Sequence, residues 1–327
     1  WDDTTNDWKV SGKWVYSYDS NNYLILDEEY TWDDTTNDWK VSGKRVLSYD
    51  LNNNKILDEE YSWDDTTNNW RGNEKWVSNY DSNNNQILEE EYSWDDSTNN
   101  WRGSWKRVFL YDSNNNLILN ERYSWDDSTN NLKGENKEVR SYDSNNNLIL
   151  WEIYFWDDTT NDWKESGKWV YSYDSNNNRI LEEWNTWDDT TNDWKVNQKR
   201  VLSYDSNNNL ILEESYIWNS NTNSWNETRK RVVSYDSNNN LILEESYNWD
   251  NNTNSWNEST FRVYSYDSNN NQILYEEYTW DNTNSLRGYS KKVSSYDSNN
   301  NQILYEEYEW DDTTNNWRGN EKWVSNY

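Results

Sequence analysis

Cysteine, histidine, methionine and proline are all absent from the 327 residues, and glycine occurs only 8 times. Without cysteine there are no disulfides, no thiolate metal ligands and no thiol nucleophile, so redox chemistry gives no sign of compartment. Without histidine as well, any nucleophile would need lysine, aspartate or glutamate as its base. No apolar run approaches the ~18 residues of a membrane span, and no charged-then-apolar leader opens the chain. Basic residues are few, 30 Lys and Arg against 61 Asp and Glu. The resulting charge of -31 sets aside nucleic acid and anionic membrane, because each phosphate approached would add repulsion instead of releasing counterions.

What the chain does have is aromatic rings. Low hydropathy with high charge usually marks disorder, but disordered chains are poor in aromatics and this one holds 27 Trp and 27 Tyr, so a folded chain is expected. Tryptophan recurs at Trp1, Trp32, Trp63, Trp94, Trp125, Trp156, Trp187, Trp218, Trp249, Trp280 and Trp310, 31 residues apart except for one interval of 30. One uninterrupted repeat array therefore fills residues 1–327, with no linker or separate domain. Both ends fall inside the pattern and no initiator methionine is present, so the chain is expected to be a slice of a longer one.

Each repeat reads as two strands. In "WDDTTNDWKVSGKRVLSYDLNNNKILDEEYS" the residues from Trp39 to Tyr49 alternate at period two, and so do those from Lys55 to Trp63. In "YDLNNNK" Asp50 can accept from amides two residues on, and an asparagine, Asn53, tolerates the left-handed backbone that closes a three- to five-residue hairpin. "WDDTTNDW" offers a four-residue loop, and the one deletion, in "WDNTNSL" at 280–286, falls there. Connections this short make neighbours antiparallel. The expected fold is all-β, a continuous antiparallel meander coiled into a superhelical ribbon or tube.

Charge supplies a register. With Trp32 opposite Trp39, Ile25 meets Val46, Asp27 meets Lys44 and Thr31 meets Lys40; with Tyr49 opposite Lys55, Leu47 meets Leu57, Arg45 meets Glu59 and Lys44 meets Glu60. In this register one face carries Trp32, Trp39, Tyr49, Leu57, Tyr61, Trp63 and Trp70. The other carries a narrow stripe of Val46 and Ile56 among lysine, serine and acidic residues. An aromatic face of that length is expected to be covered, by the sheet coiling on itself or by another sheet. A glutamate recurs on the aromatic side (Glu28, Glu59, Glu90 and their equivalents) and would be costly to bury alone. Its expected partner is the residue opposite, Arg45 for Glu59 and Arg107 for Glu121. Where that residue is Trp14, Trp76, Trp169 or Glu138, the glutamate needs solvent, a neighbouring strand's base or a cation, so a hydrated line is expected.

The phrase "YDSNNNLIL", found at 111–119, 142–150, 204–212 and 235–243, resembles the YD repeat of Rhs proteins, insecticidal toxin-complex shells and teneurins. Tyr142 and Asp143 match the pair, and Leu148 and Ile149 the strand start. Asn146 or Asn147 stands where glycine is usual. The array also resembles the tandem repeats of very large secreted Bacteroidota surface proteins. These resemblances imply long antiparallel sheets, and in the first family spiral shells enclosing cargo. Near-identical units instead apply one small rotation each time, which favours a fibre over a container.

The functional expectation is a non-catalytic shaft of an extracellular fibre or cell-surface adhesin, secreted, associating with identical chains. Carboxylate pairs recur at every turn, and an active site is normally a single departure from a pattern. No cofactor is expected, calcium excepted: Asp50, Asn52 and Asn54 have the one, three, five spacing of a calcium loop, although Lys55 replaces its glycine and Tyr61 its terminal glutamate. The alternatives are a polysaccharide stacked on Trp32, Trp39, Tyr49, Tyr61, Trp63 and Trp70, or a YD-type shell wall around a toxin.

Overall fold

The structure, a computed structural model, describes residues 12–129, 131–280 and 285–325. The shortened turn at 280–286 and the first repeat start, Trp1, therefore fall largely or wholly outside the described residues. The fold is all-β: 21 strands, with no helix among the described residues. The chain divides into two compact units, Trp1–Ser166 and Gly167–Tyr327, the division falling in sequence within strand β11 (Asp162–Tyr173).

In the first unit, β1 (Gly12–Tyr18), β2 (Leu24–Asp33), β3 (Asp38–Tyr49), β4 (Lys55–Asp64) and β5 (Asn69–Tyr80) each pair antiparallel with the next, and the meander continues to β10 (Leu148–Asp157). The second unit runs the same way from β11 to β21 (Asn316–Val324). Within each unit strands contact their sequence neighbours, and no second layer of described strands packs on either face. The expected cover over the aromatic face is therefore not supplied inside a unit. Burial is correspondingly shallow: among described hydrophobic residues only Leu47, Leu202 and Val233 fall below a tenth exposed.

Both turns are as the letters indicate. Asn53 at φ 67 and Asn68 at φ 50 sit in the left-handed region, as do their described equivalents, and asparagine tolerates that backbone because its short side chain bonds locally. The five residues Asp50–Asn54 close one hairpin and residues 34–37 the other.

The register differs from expectation, because each described antiparallel pairing within a unit carries a one-residue bulge. Trp32 does face Trp39 and Thr31 faces Lys40, but Ser42 is left over between Tyr30↔Val41 and Glu29↔Gly43. Beyond it Glu28 faces Lys44, Asp27 faces Arg45 and Leu26 faces Val46, not the expected Asp27 with Lys44 and Ile25 with Val46. Across the other turn Tyr49 faces Lys55, then Ile56 is left over, so Leu57 faces Ser48, Asp58 faces Leu47, Glu59 faces Val46 and Glu60 faces Arg45. The expected Leu47–Leu57, Arg45–Glu59 and Lys44–Glu60 pairs do not form.

A bulge resets which side a side chain takes. Counting alternation from Trp32, one face holds Trp32, Tyr30, Glu28 and Leu26 of β2 with Trp39, Lys44 and Val46 of β3. The opposite face holds Asp27 and Glu29 with Arg45, Leu47 and Tyr49. Two corrections follow: Val46 shares the tryptophan face, and Tyr49 leaves it. We call the first the indole face and the second the guanidinium face.

Candidate functional site

On the indole face the paired tryptophans meet edge to face. Trp32–Trp39 and Trp63–Trp70 have ring centroids 5.4 and 5.2 Å apart at 80° and 79°, the geometry in which a ring's positive edge meets its partner's negative face. Lys44, one strand residue past the bulge, aims its ammonium at the rings of Tyr61 (4.8 Å) and Trp70 (4.4 Å).

The recurring glutamate is satisfied here too, but not by the expected arginine. Glu59 Oε1 lies 2.8 Å from Lys75 Nζ, and Tyr61 Oη donates to Glu59 Oε2 at 2.9 Å. Glu90 repeats this with Lys106 (3.3 Å) and Tyr92 (2.9 Å), and Glu121 with Lys137 (3.0 Å) and Tyr123 (2.7 Å). The bulge moves the lysine into line with the glutamate, so repeats carrying Trp76 or Glu138 in place of Arg45 keep the pair. No hydrated line of unpaired glutamates is needed at these three positions. Burial first, and then the neighbouring carboxylate, push Tyr92 and Tyr216 up to about 12.

On the guanidinium face Arg45 grips Asp58 with two bonds of 2.7 Å, and Lys55 adds a third contact at 2.6 Å. Asp58 is only 6% exposed. Burial alone would raise its pKa, but the hydrogen bonds from Arg45 and Lys55 more than offset it and the carboxyl lies below its ordinary value. In the second unit Arg231, Glu244, Arg262 and Glu277 alternate across four strands at 2.7, 3.4 and 2.7 Å. Arg107, expected to hold Glu121, instead donates to Asn120 at 3.0 Å.

Asp50, Asn52 and Asn54 come together as a capped turn. Asp50 Oδ1 accepts from the backbone amides of Asn52 and Asn54 at 2.9 Å each, and Oδ2 from the Asn54 side chain at 3.0 Å. The side-chain bond from Asn54 leads the causes that hold Asp50 below its ordinary pKa. Among the described residues no group of three or more acidic side chains is placed to hold a metal ion.

The triple asparagine has a further use that periodicity did not reveal. Asn83 and Asn85 both donate their side-chain N–H to Asn115 Oδ1 at 2.9 Å, and Asn114 and Asn116 donate likewise to Asn146. The second unit repeats the ladder from Asn176 and Asn178 through Asn208, Asn239 and Asn270 to Asn300. The middle asparagine turns the chain and accepts; its two neighbours donate to the next repeat. Asn115→Gly keeps the backbone relaxed while deleting the acceptor, and Asn115→Val loses both. Local opening measured by hydrogen exchange should weaken by ~1 kcal/mol for glycine and by ~2–3 kcal/mol for valine. A glycine variant as protected as the parent would remove the ladder from the stability account.

The class defined by these features is a tandem β-repeat array in which each repeat bonds to the next at its face and at its asparagine turn. No family model and no curated protein matches the chain. Solved structures do. A protein of unknown function from Bacteroides fragilis is 21% identical over 39% of this chain and 91% of its own, with TM-score 0.32. A DUF3836 family protein from Bacteroides vulgatus is 23% identical over 28% and 90%, with TM-score 0.24. A chain of the Photorhabdus luminescens Tc holotoxin pore is 11% identical over 90% of this chain, which spans 15% of that chain's length, with TM-score 0.28. The neighbours thus include a toxin-complex chain at low identity, and none of them assigns a family.

Proposed function

We propose that the chain is a non-catalytic structural segment, the shaft of an extracellular fibre or cell-surface adhesin, whose partners are further copies of itself. The observation that carries this reading is the asparagine ladder: one bond geometry recurs at step after step, so adding a repeat lengthens the array without changing its bonding. The charged turns, with pairs such as Arg71–Asp96 at 2.6 Å between successive acidic turns, keep that edge hydrated while tying neighbours together. Electron micrographs of the purified chain should show filaments with an axial advance near 9.6 Å per repeat, two strand spacings of about 4.8 Å. Only dispersed compact particles across a range of calcium and salt would contradict it.

A glycan-binding role is the second reading, favoured by half-exposed tryptophan pairs such as Trp32–Trp39 and Trp63–Trp70. It needs Trp32, Trp39, Tyr61, Trp63 and Trp70 alone, since Tyr49 faces the other way.

A further inference from the structure

Three times among the described residues the second tryptophan of a repeat reaches back over the repeat before it. Trp101, Trp163 and Trp317 meet Tyr61, Tyr123 and Tyr278 at centroid distances of 5.6, 5.8 and 5.7 Å. Trp101 and Trp317 also donate Nε1–H to the phenol oxygens of Tyr61 and Tyr278 at 3.4 Å. In each case the indole crosses a glycine, and a Cβ at Gly72, Gly134 or Gly288 would stand 2.6, 2.8 or 2.7 Å from it.

Tyr92 and Gly103 reproduce the arrangement, but Leu132 stands where the crossing tryptophan belongs. A slot of about 460 Å³ opens there, walled by Tyr92, Trp101, Gly103, Lys106, Trp125 and Leu132. Leu286, the other leucine at this place, follows Glu258 instead of a glycine, so the open floor belongs to Leu132. Lys106 is held by Glu90 at 3.3 Å and Arg102 by Asp127 at 3.1 Å, so an uncharged guest suits the slot.

We infer that this slot binds a small neutral indole-class molecule. The guest's flat ring covers Gly103 and packs against Trp125. Its N–H donates to Tyr92 Oη, as Trp101 does to Tyr61. Tyr92 is ready to accept because its own proton is given to Glu90 Oε2 at 2.9 Å. A preformed slot walled by rings, with a few polar groups at its margin, suits a flat aromatic guest whose one polar atom finds a partner.

The test is fluorine NMR of 5-fluoroindole with the whole chain. Saturable binding with Kd about 1 mM or tighter is expected, displaced by unlabelled indole. Leu132→Trp supplies its own ring and should weaken binding by at least ~10-fold with an unchanged far-ultraviolet spectrum. Should that variant misfold, Gly103→Val, which fills the floor, must give the same loss. Absence of saturable binding by the parent, or binding undiminished in the folded variant, overturns the inference.

Discussion

Deleting Ser42 should destabilise the second and third repeats by ~1–4 kcal/mol, whereas Ser42→Ala should cost almost nothing. Ser42 is the extra residue of the first bulge, and its hydroxyl is buried without a partner, so alanine removes no bond. Deletion is different in kind. Without the extra residue β3 can keep Trp39 on Trp32 or keep Lys44 on Glu28 and Arg45 on Asp27, but not both. The four cross-strand pairs on one side of the bulge, each contributing ~0.2–1 kcal/mol, would be lost or turned to the wrong face. Hydrogen exchange of β2 to β4 would report the difference, and a deletion as well tolerated as the alanine variant would show that the bulge does not set the register.

The second large effect is a collapse in acid. Asp58 and the turn aspartates Asp50, Asp81, Asp112, Asp143, Asp174, Asp205, Asp236, Asp267 and Asp297 all lie below the ordinary value of 3.8. In the turns the bonds to Asn54 and its equivalents hold the carboxylates down. A carboxyl depressed in the folded state stabilises fully above its unfolded pKa and loses that contribution as pH falls through the folded value. Melting temperature should hold or rise slightly from pH 7 towards 5, as glutamate protonation relieves a net charge of -31, and then fall steeply below the ordinary carboxylate value of 3.8. At the alkaline end tyrosines such as Tyr92 and Tyr216, raised from 10.0 to about 12, stabilise below 10 and lose that contribution as pH rises through 12. A melting temperature still rising below pH 3 would contradict the capped-turn account.

The turns were legible because their chemistry is local. Asp50 and Asn53 state the hairpin within five letters, and the pairings nearest the turns, Trp32 with Trp39 and Tyr49 with Lys55, are as expected. The bulges were not, because a period-two reading continues through any residue whose polarity fits neither face. The first bulge position carries Ser42, Asn73, Ser104 and Glu135, small or polar letters with no preferred side, and the second is Ile56 and its equivalents, which look like ordinary strand residues. Three missed residues account for the differences: Ile56 takes Glu59 off Arg45, Asn73 brings Lys75 opposite it, and Ser42 carries Tyr49 to the other face. The asparagine ladder was hidden differently: Asn83, Asn85 and Asn115 are about 30 residues apart, and only the stacking of turns brings them together.

The bulged register decides which side chains share a face, and a chain without native cysteine makes it directly measurable. Glu59 lies opposite both Val46 and Lys75, and faces away from Arg45. Cysteine pairs at Val46/Glu59, Glu59/Lys75 and Arg45/Glu59 can be oxidised and scored by mass, since a disulfide requires Cβ atoms about 3.5–4.5 Å apart. At least one of the first two should close while Arg45/Glu59 stays reduced. Closure of Arg45/Glu59 with both others open would restore the straight register and overturn the division of the two faces.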